Sequence, residues 1–266
     1  MISSDRPVSA SASAGHRYLR LWCFGGFRVE VDGSPVDWSG VRPRVRTLLR
    51  YLAAHAGQPV HRERITAALW PELPERSAVN NLHVGVSTLR TFLEPGVARG
   101  ASRFIVRDGS SYRLEVGVGG GSDVAAFDAA LAAVRRARST GDGPAAVRAL
   151  RNALDEYAGD LLPEDGSAEW VLADRERHRS RATEAAVLLA GLELARGRSR
   201  VAITAARRAL ELDGYHDDGW RLLITAQRRA GDVAAARRSQ QTYERVLCSL
   251  GVGRAGVPRP VHVTAA

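Results

Sequence analysis

The period of the apolar positions changes along the chain, and each change marks an element. Tyr18–Phe24 and Phe27–Val31 are rich in aromatic and β-branched residues and are split by Gly25 and Gly26, which predicts two strands joined by a turn. Asp32, Gly33 and Pro35 mark a further turn. From Pro43 the period lengthens: Val45, Leu48, Leu49 and Leu52 recur at helical spacing, and Gly57 ends the pattern. A short second helix is expected over His61–Trp70, closed by Pro71 and Pro74. A third is expected over residues 76–93, where Leu82, Val86, Leu89 and Leu93 form one stripe at ~100° per residue. Phe104–Val106 and Tyr112–Val116 then bracket Asp108, Gly109 and Ser110, a hairpin.

Beyond residue 122 the chain becomes almost continuous Ala/Leu/Arg helix. Leu189, Gly197, Ala202 and Ala209 recur 34 residues later as Leu223, Gly231, Ala236 and Tyr243, the period of a tetratricopeptide-like stack, in which small residues let paired helices approach closely. Gly141 and Asp142 before Ala146 resemble Gly231 and Asp232 before Ala236, so a diverged third pair is expected near 124–157, with the phase interrupted around Pro163–Trp170. The organisation is thus a disordered leader (1–16), a winged helix-turn-helix (17–116), a Gly-rich flexible linker (117–122), a helical domain (123–252) and a flexible tail (253–266). The fold class is an α+β winged helix-turn-helix followed by an all-α, tetratricopeptide-like helical-repeat domain.

Composition narrows the function. All 38 basic residues are arginine, which removes lysine-dependent phosphate loops and Schiff-base chemistry. Residues 18–116 carry 14 arginines against 9 acids, whereas 122–254 carry 21 against 19, so the first region is the more basic per residue. Cys23 and Cys248 lie in no ligand pattern, and no metal site or cofactor is expected. With no catalytic motif and histidines dispersed, no enzyme activity is expected. No stretch is long and apolar enough for a membrane span, and with no export signal the cytoplasm is the expected compartment.

Opposite the apolar stripe of the third helix lie Ser77, Asn80, Val84, Ser87, Thr88 and Thr91, with Asn81 and Arg90 on the flanks. This face is short, neutral and hydrogen-bonding, whereas a merely solvated face is usually charged. Asn and Ser/Thr address base edges, and Val84 offers a partner for a thymine methyl. Arg42, Arg44 and Arg46 cluster at the start of the first helix and Arg62 and Arg64 at the start of the second, where helix N-termini favour phosphate. Arg107, beside the hairpin tip, is the candidate for a narrow minor groove. His61 is read as a helix cap or phosphate contact, and His83 as a boundary residue.

The run from Phe24 to Leu114 resembles the DNA-binding domain of OmpR/PhoB-type response regulators, through Asn80–Arg90 as reading helix and Val106–Leu114 as wing. Asp123–Val252 resembles the bacterial transcriptional activator domain, most specifically over Leu210–Leu223. The pairing is that of the Streptomyces antibiotic regulatory protein family. The resemblance implies base contacts from Val84 and Thr88, phosphate contacts from Asn80, Ser87 and Arg90, and a wing contact from Arg107; the polar face adds Asn81 and Thr91 as base-contact candidates, and the helix-start arginines add phosphate contacts. Asn80, Ser87 and Thr88 depart from the arginines that response regulators often carry there. It further implies a transcriptional activator of a biosynthetic or antibiotic gene cluster, associated with the nucleoid. Such a protein binds promoter direct repeats as self-associating head-to-tail pairs and recruits RNA polymerase holoenzyme. No receiver domain is seen before these segments and no ATPase module after them, so neither form of control is expected. The alternative from another class is a protein-interaction scaffold acting through the repeats.

Overall fold

Leu19 and Leu21 are buried and Arg20 is exposed, the alternation expected of a strand with one face on a core, and they lie in β1 (Leu19–Trp22). In the computed structural model, which describes residues 17–98 and 100–251, β1 pairs antiparallel with β2 (Arg28–Val31), Leu21 opposite Val29. The segments expected as leader (1–16) and tail (253–266) lie outside the described residues. Gly25 and Gly26 connect the two strands with φ of 72° and 141°, conformations that L side chains rarely adopt. Asp32 and Gly33 turn the chain into β3 (Ser34–Pro35).

Pro43 occupies the first turn of α1 (Pro43–Ala54), where its missing N–H costs nothing, and Val45, Leu48, Leu49 and Leu52 are buried as their spacing predicts. A two-residue strand, β4 (Val60–His61), follows, which no periodicity could announce. His61 then caps α2 (Arg62–Leu69), its Nδ1 accepting from the Glu63 N–H at 3.4 Å. The third helix, α3 (Glu75–Leu93), buries Leu82, Val86, Leu89 and Leu93, joined by Ala78 and Gly85. β5 (Ile105–Asp108) and β6 (Ser111–Leu114) form the expected hairpin, and β4 adds to it in the order β4-β6-β5.

The chain divides into two compact units, the first comprising residues up to 125 together with 162–166, the second 126–161 and 167 onward. The structure corrects the linker expected from the sequence. The Gly-rich stretch expected as a flexible linker is built into the first unit: β7 (Gly121–Ser122) pairs parallel with β1, completing the order β3-β2-β1-β7. Gly117 (φ 74°) and Gly120 are required by close approach rather than flexibility, since a Cβ would lie 2.4 Å from Arg17 O at the first and 2.1 Å from Val116 O at the second. Asp123, immediately after, turns its buried carboxylate onto the backbone N–H groups of Cys23, Phe24 and Val124, which donate to it at 2.7 to 2.9 Å.

The break in repeat phase after residue 160 also has a cause. Leu162 adopts φ 47°, its N–H donates to Cys23 O at 2.8 Å, and a 3-10 turn (Pro163–Asp165) brings two acids into the first unit. Phe27 N–H donates to Glu164 Oε1 at 2.6 Å, and Arg50 grips Asp165 through Nε and Nη2 at 2.6 and 2.7 Å, with the Asp165 side chain 5% exposed.

The second unit stacks α4 (Asp123–Ser139), whose first turn lies in the first unit, with α5 (Gly143–Glu156), α6 (Glu169–Ala195), α7 (Ser199–Leu212), α8 (Asp217–Arg229) and α9 (Val233–Ser249). Leu189 and Leu223 occupy one core, and Ala202, Ala209 and Ala236 are buried where helices approach. Gly197 and Gly231 share φ of 75° and 82° between paired helices. The third pair is α4 and α5, and its Asp142 caps Ala145 N at 2.8 Å as Asp232 caps Ala235 N at 2.9 Å. No helix among the described residues is long and apolar enough to cross a membrane.

Candidate nucleic-acid interface

The orientation of α3 is set by what it buries. Gly85 lies at the α1 contact, where a Cβ would come to 2.8 Å from Leu48 Cδ2, so the absence of a side chain sets the approach of the two helices. Trp38 packs on the Phe92 ring with centroids 5.0 Å apart and on Phe27 at 6.1 Å, tying the strand region to the last turn of the helix. With one side committed in this way, Ser77, Asn80, Asn81, Val84, Ser87, Thr88 and Thr91 are all exposed, Val84 to 53%. Every base-contact position expected from the sequence therefore stands on one accessible face.

That face has two sides. Toward the wing, a groove of about 540 Å³ is lined by His83, Ser87, Arg90, Thr91, Arg107 and Tyr112, among others. Asn80, Asn81, Val84 and Thr88 do not line it. A reading helix and a wing inserted into neighbouring grooves of a duplex straddle one sugar-phosphate strand, and a groove lined by hydroxyls, arginine and histidine suits that strand. His83 thus joins the candidate residues, although the sequence placed it only at a boundary. Thr88 and Thr91 turn their hydroxyls back along the helix, donating to Val84 O at 2.9 Å and Ser87 O at 3.2 Å.

The arginines separate into groups. Arg42 is exposed at the N-terminus of α1 and Arg107 is exposed near the wing tip, where its Nε donates to Gly109 O at 3.0 Å. Arg64 is exposed with Nη2 3.3 Å from His55 Nε2, and Arg62 is half-buried with its backbone N–H donating to Ser110 O. Arg44 bridges helices, Nη1 donating to Leu69 O at 3.0 Å, and Arg46 Nε donates to Val41 O at 2.7 Å. Arg90 differs most from its expected phosphate role. Its Nε and Nη2 both donate to Ile105 O, at 3.0 and 2.7 Å. β5 is an edge strand, and Arg90 supplies the donors that a further strand would have given its outer carbonyl. It is a positioning residue that holds the wing to α3.

A second positioning group was invisible in the sequence. Glu94, 2% exposed just past the end of α3, accepts from Ser102 Oγ and from the N–H groups of Arg103 and Phe104, closing the loop that leads into the wing. An acid at a helix C-terminus runs against the helix dipole, so no local rule marks it.

A three-helix head with a β-hairpin wing and an exposed polar reading face, followed by stacked helix pairs, defines a DNA-binding transcriptional regulator. The comparisons agree. Residues 40–114 match the family model described as transcriptional regulatory protein, C terminal, and residues 122–256 match the bacterial transcriptional activator domain. The chain belongs to the bacterial transcriptional activator domain family, in the two-domain arrangement of the Streptomyces antibiotic regulatory proteins. It is 31% identical over 144 residues to the regulatory protein AfsR of Streptomyces coelicolor, covering 54% of this chain and 14% of AfsR. It is 29% identical over 188 residues to the transcriptional regulatory protein MoaR1 of Mycobacterium tuberculosis, covering 68% of this chain and 58% of MoaR1. Mycobacterium tuberculosis EmbR, solved in complex with a low affinity phosphopeptide, superposes with a TM-score of 0.73 at 25% identity, covering 91% of this chain and 62% of that one. The match thus spans less than two thirds of each relative.

Proposed function

We propose that this regulator binds promoter DNA sequence-specifically, with α3 in the major groove, Arg107 of the wing at the adjacent minor groove, and Arg42, Arg62 and Arg64 on flanking phosphates. The observation that carries the reading is the accessible face of α3, where Asn80, Asn81, Val84, Ser87, Thr88 and Thr91 are all exposed beside the wing. In this reading the protein works in the cytoplasm at the nucleoid, assembles head to tail on direct repeats, and activates a biosynthetic gene cluster by recruiting RNA polymerase holoenzyme. The helical unit supplies the protein contacts, since stacked helix pairs offer extended surfaces to a partner. No catalysis and no cofactor are part of it.

The test is a gel shift of the full chain on duplexes from its own upstream region against scrambled duplexes at moderate salt. Preferential binding that is lost when Thr88→Ala and Arg107→Ala are combined is the expected outcome. Equal binding to both duplexes, unaffected by that pair, refutes it.

A further inference from the structure

Four exposed side chains of α3, Asn80, Asn81, Val84 and Thr88, lie outside the lining of the wing groove, and none is charged. The bidentate donor that most often selects guanine is an arginine or lysine. Arg90, the arginine on this stretch of helix, is turned onto Ile105 O. Arg76 is exposed in the first turn, but eight residues separate it from Val84, ~12 Å along the axis, too far to share a base pair with it. Thr88 has already given its hydroxyl hydrogen to Val84 O. Its oxygen and methyl sit on the same tetrahedral Cβ, so with the oxygen directed at that carbonyl the methyl points elsewhere. What Thr88 retains for a partner is a methyl group and lone pairs that accept. Val84 adds two methyls at 53% exposure to a side of the helix that is otherwise polar.

These groups match one kind of base pair. Thymine alone carries a methyl in the major groove, and adenine presents the donor and acceptor pair that an asparagine amide meets with two hydrogen bonds. We propose that the segment Asn80–Thr88 reads A·T pairs, with Val84 and Thr88 packing on thymine methyls and Asn80 or Asn81 on an adjacent adenine. The proposal rests on the DNA-binding reading above and adds the identity of the bases.

The experiment starts with the full chain and a pool of random-sequence duplexes, selected at fixed salt. Thymines of the enriched duplex are then replaced one at a time by deoxyuridine, which removes only the methyl. Affinity should fall about fourfold at each contacted position, the equivalent of roughly 0.8 kcal/mol for one buried carbon group. Val84→Ala should bind the thymine and uracil duplexes alike at its position. Thr88→Val should keep the discrimination at the other position, while Thr88→Ser, which retains the hydroxyl, should lose it. A duplex that is enriched but indifferent to uracil throughout, or whose core under α3 is G·C, overturns the base assignment alone. A pool that shows no enrichment overturns the DNA-binding reading and this proposal with it.

Discussion

Replacing Arg90 by alanine separates a contact with DNA from a contact within the fold. Its guanidinium makes two hydrogen bonds to Ile105 O, on the outer edge of β5, from a half-buried position. A hydrogen bond involving a charged group contributes about 1.5 to 3 kcal/mol. Two donors share one acceptor here and water can partly replace them, so the expected loss is that of about one such bond, ~2 kcal/mol. For a unit of this size each kcal/mol lowers Tm by about 4 °C, which places the Arg90→Ala transition of the first unit roughly 8 °C below the parent. DNA affinity should also fall, because the wing is no longer held to α3. Melting and salt dependence together distinguish the two roles, because only a contact within the fold lowers Tm. A lost phosphate contact lowers the slope of log affinity against log salt by about 0.9. A misplaced wing also lowers it, through the contact Arg107 loses, so the slope alone does not tell the two roles apart and the melting temperature decides. Titrations of parent and variant at four salt concentrations, beside a melting curve, provide the measurement. An unchanged Tm together with a slope reduced by one phosphate would show that Arg90 faces DNA and that the reasoning is wrong.

Arg107→Ala should behave in the opposite way, leaving Tm unaltered because its side chain is exposed at the wing tip, while weakening binding to all sequences and lowering the salt slope by about one phosphate equivalent; a variant with unchanged affinity would remove the wing from the interface. Asp123→Ala strips acceptors from the N–H groups of Cys23 and Phe24, so the first unit should lose about 2 to 3 kcal/mol in chemical denaturation. In native protein a thiol reagent should titrate exposed Cys248 promptly and Cys23 only after Asp123 is removed; continued protection of Cys23 at unchanged stability would argue against the clamp. His178, 2% exposed in α6 against the Phe127 ring, is pushed down to about 4 by burial, an effect stronger than the opposing pull of Asp128. The unfolded chain takes up that proton at its ordinary value of 6.5, so stability of the second unit holds above pH 6.5 and declines as the pH falls toward 4, by about 2 to 3 kcal/mol. His178→Gln should flatten that decline, and an identical pH profile in the variant would assign acid sensitivity elsewhere.

The sequence by itself determined whatever repeats over short distances. The stripe of Leu82, Val86, Leu89 and Leu93 fixed which side of α3 is buried and therefore which residues can meet DNA, because helical geometry converts spacing into direction without outside help. The 34-residue recurrence of Leu189 at Leu223 and Gly197 at Gly231 likewise announced the helix pairs, and Gly109 with its neighbours announced the wing. The tertiary structure alone decided the contacts that join residues far apart in the chain. Gly117–Ser122 has the composition of a flexible linker, yet it is held against β1, because glycine suits close backbone approach as well as disorder and local sequence cannot tell the two apart. Asp123 reaches backbone N–H groups 99 and 100 positions away, and Asp165 meets Arg50 across 115. Such pairings follow from where the chain returns in space, which no period records. Arg90 shows the consequence for function: its place on the helix was legible, but whether its charge faces a phosphate or a carbonyl depended on an edge strand that begins 15 residues later.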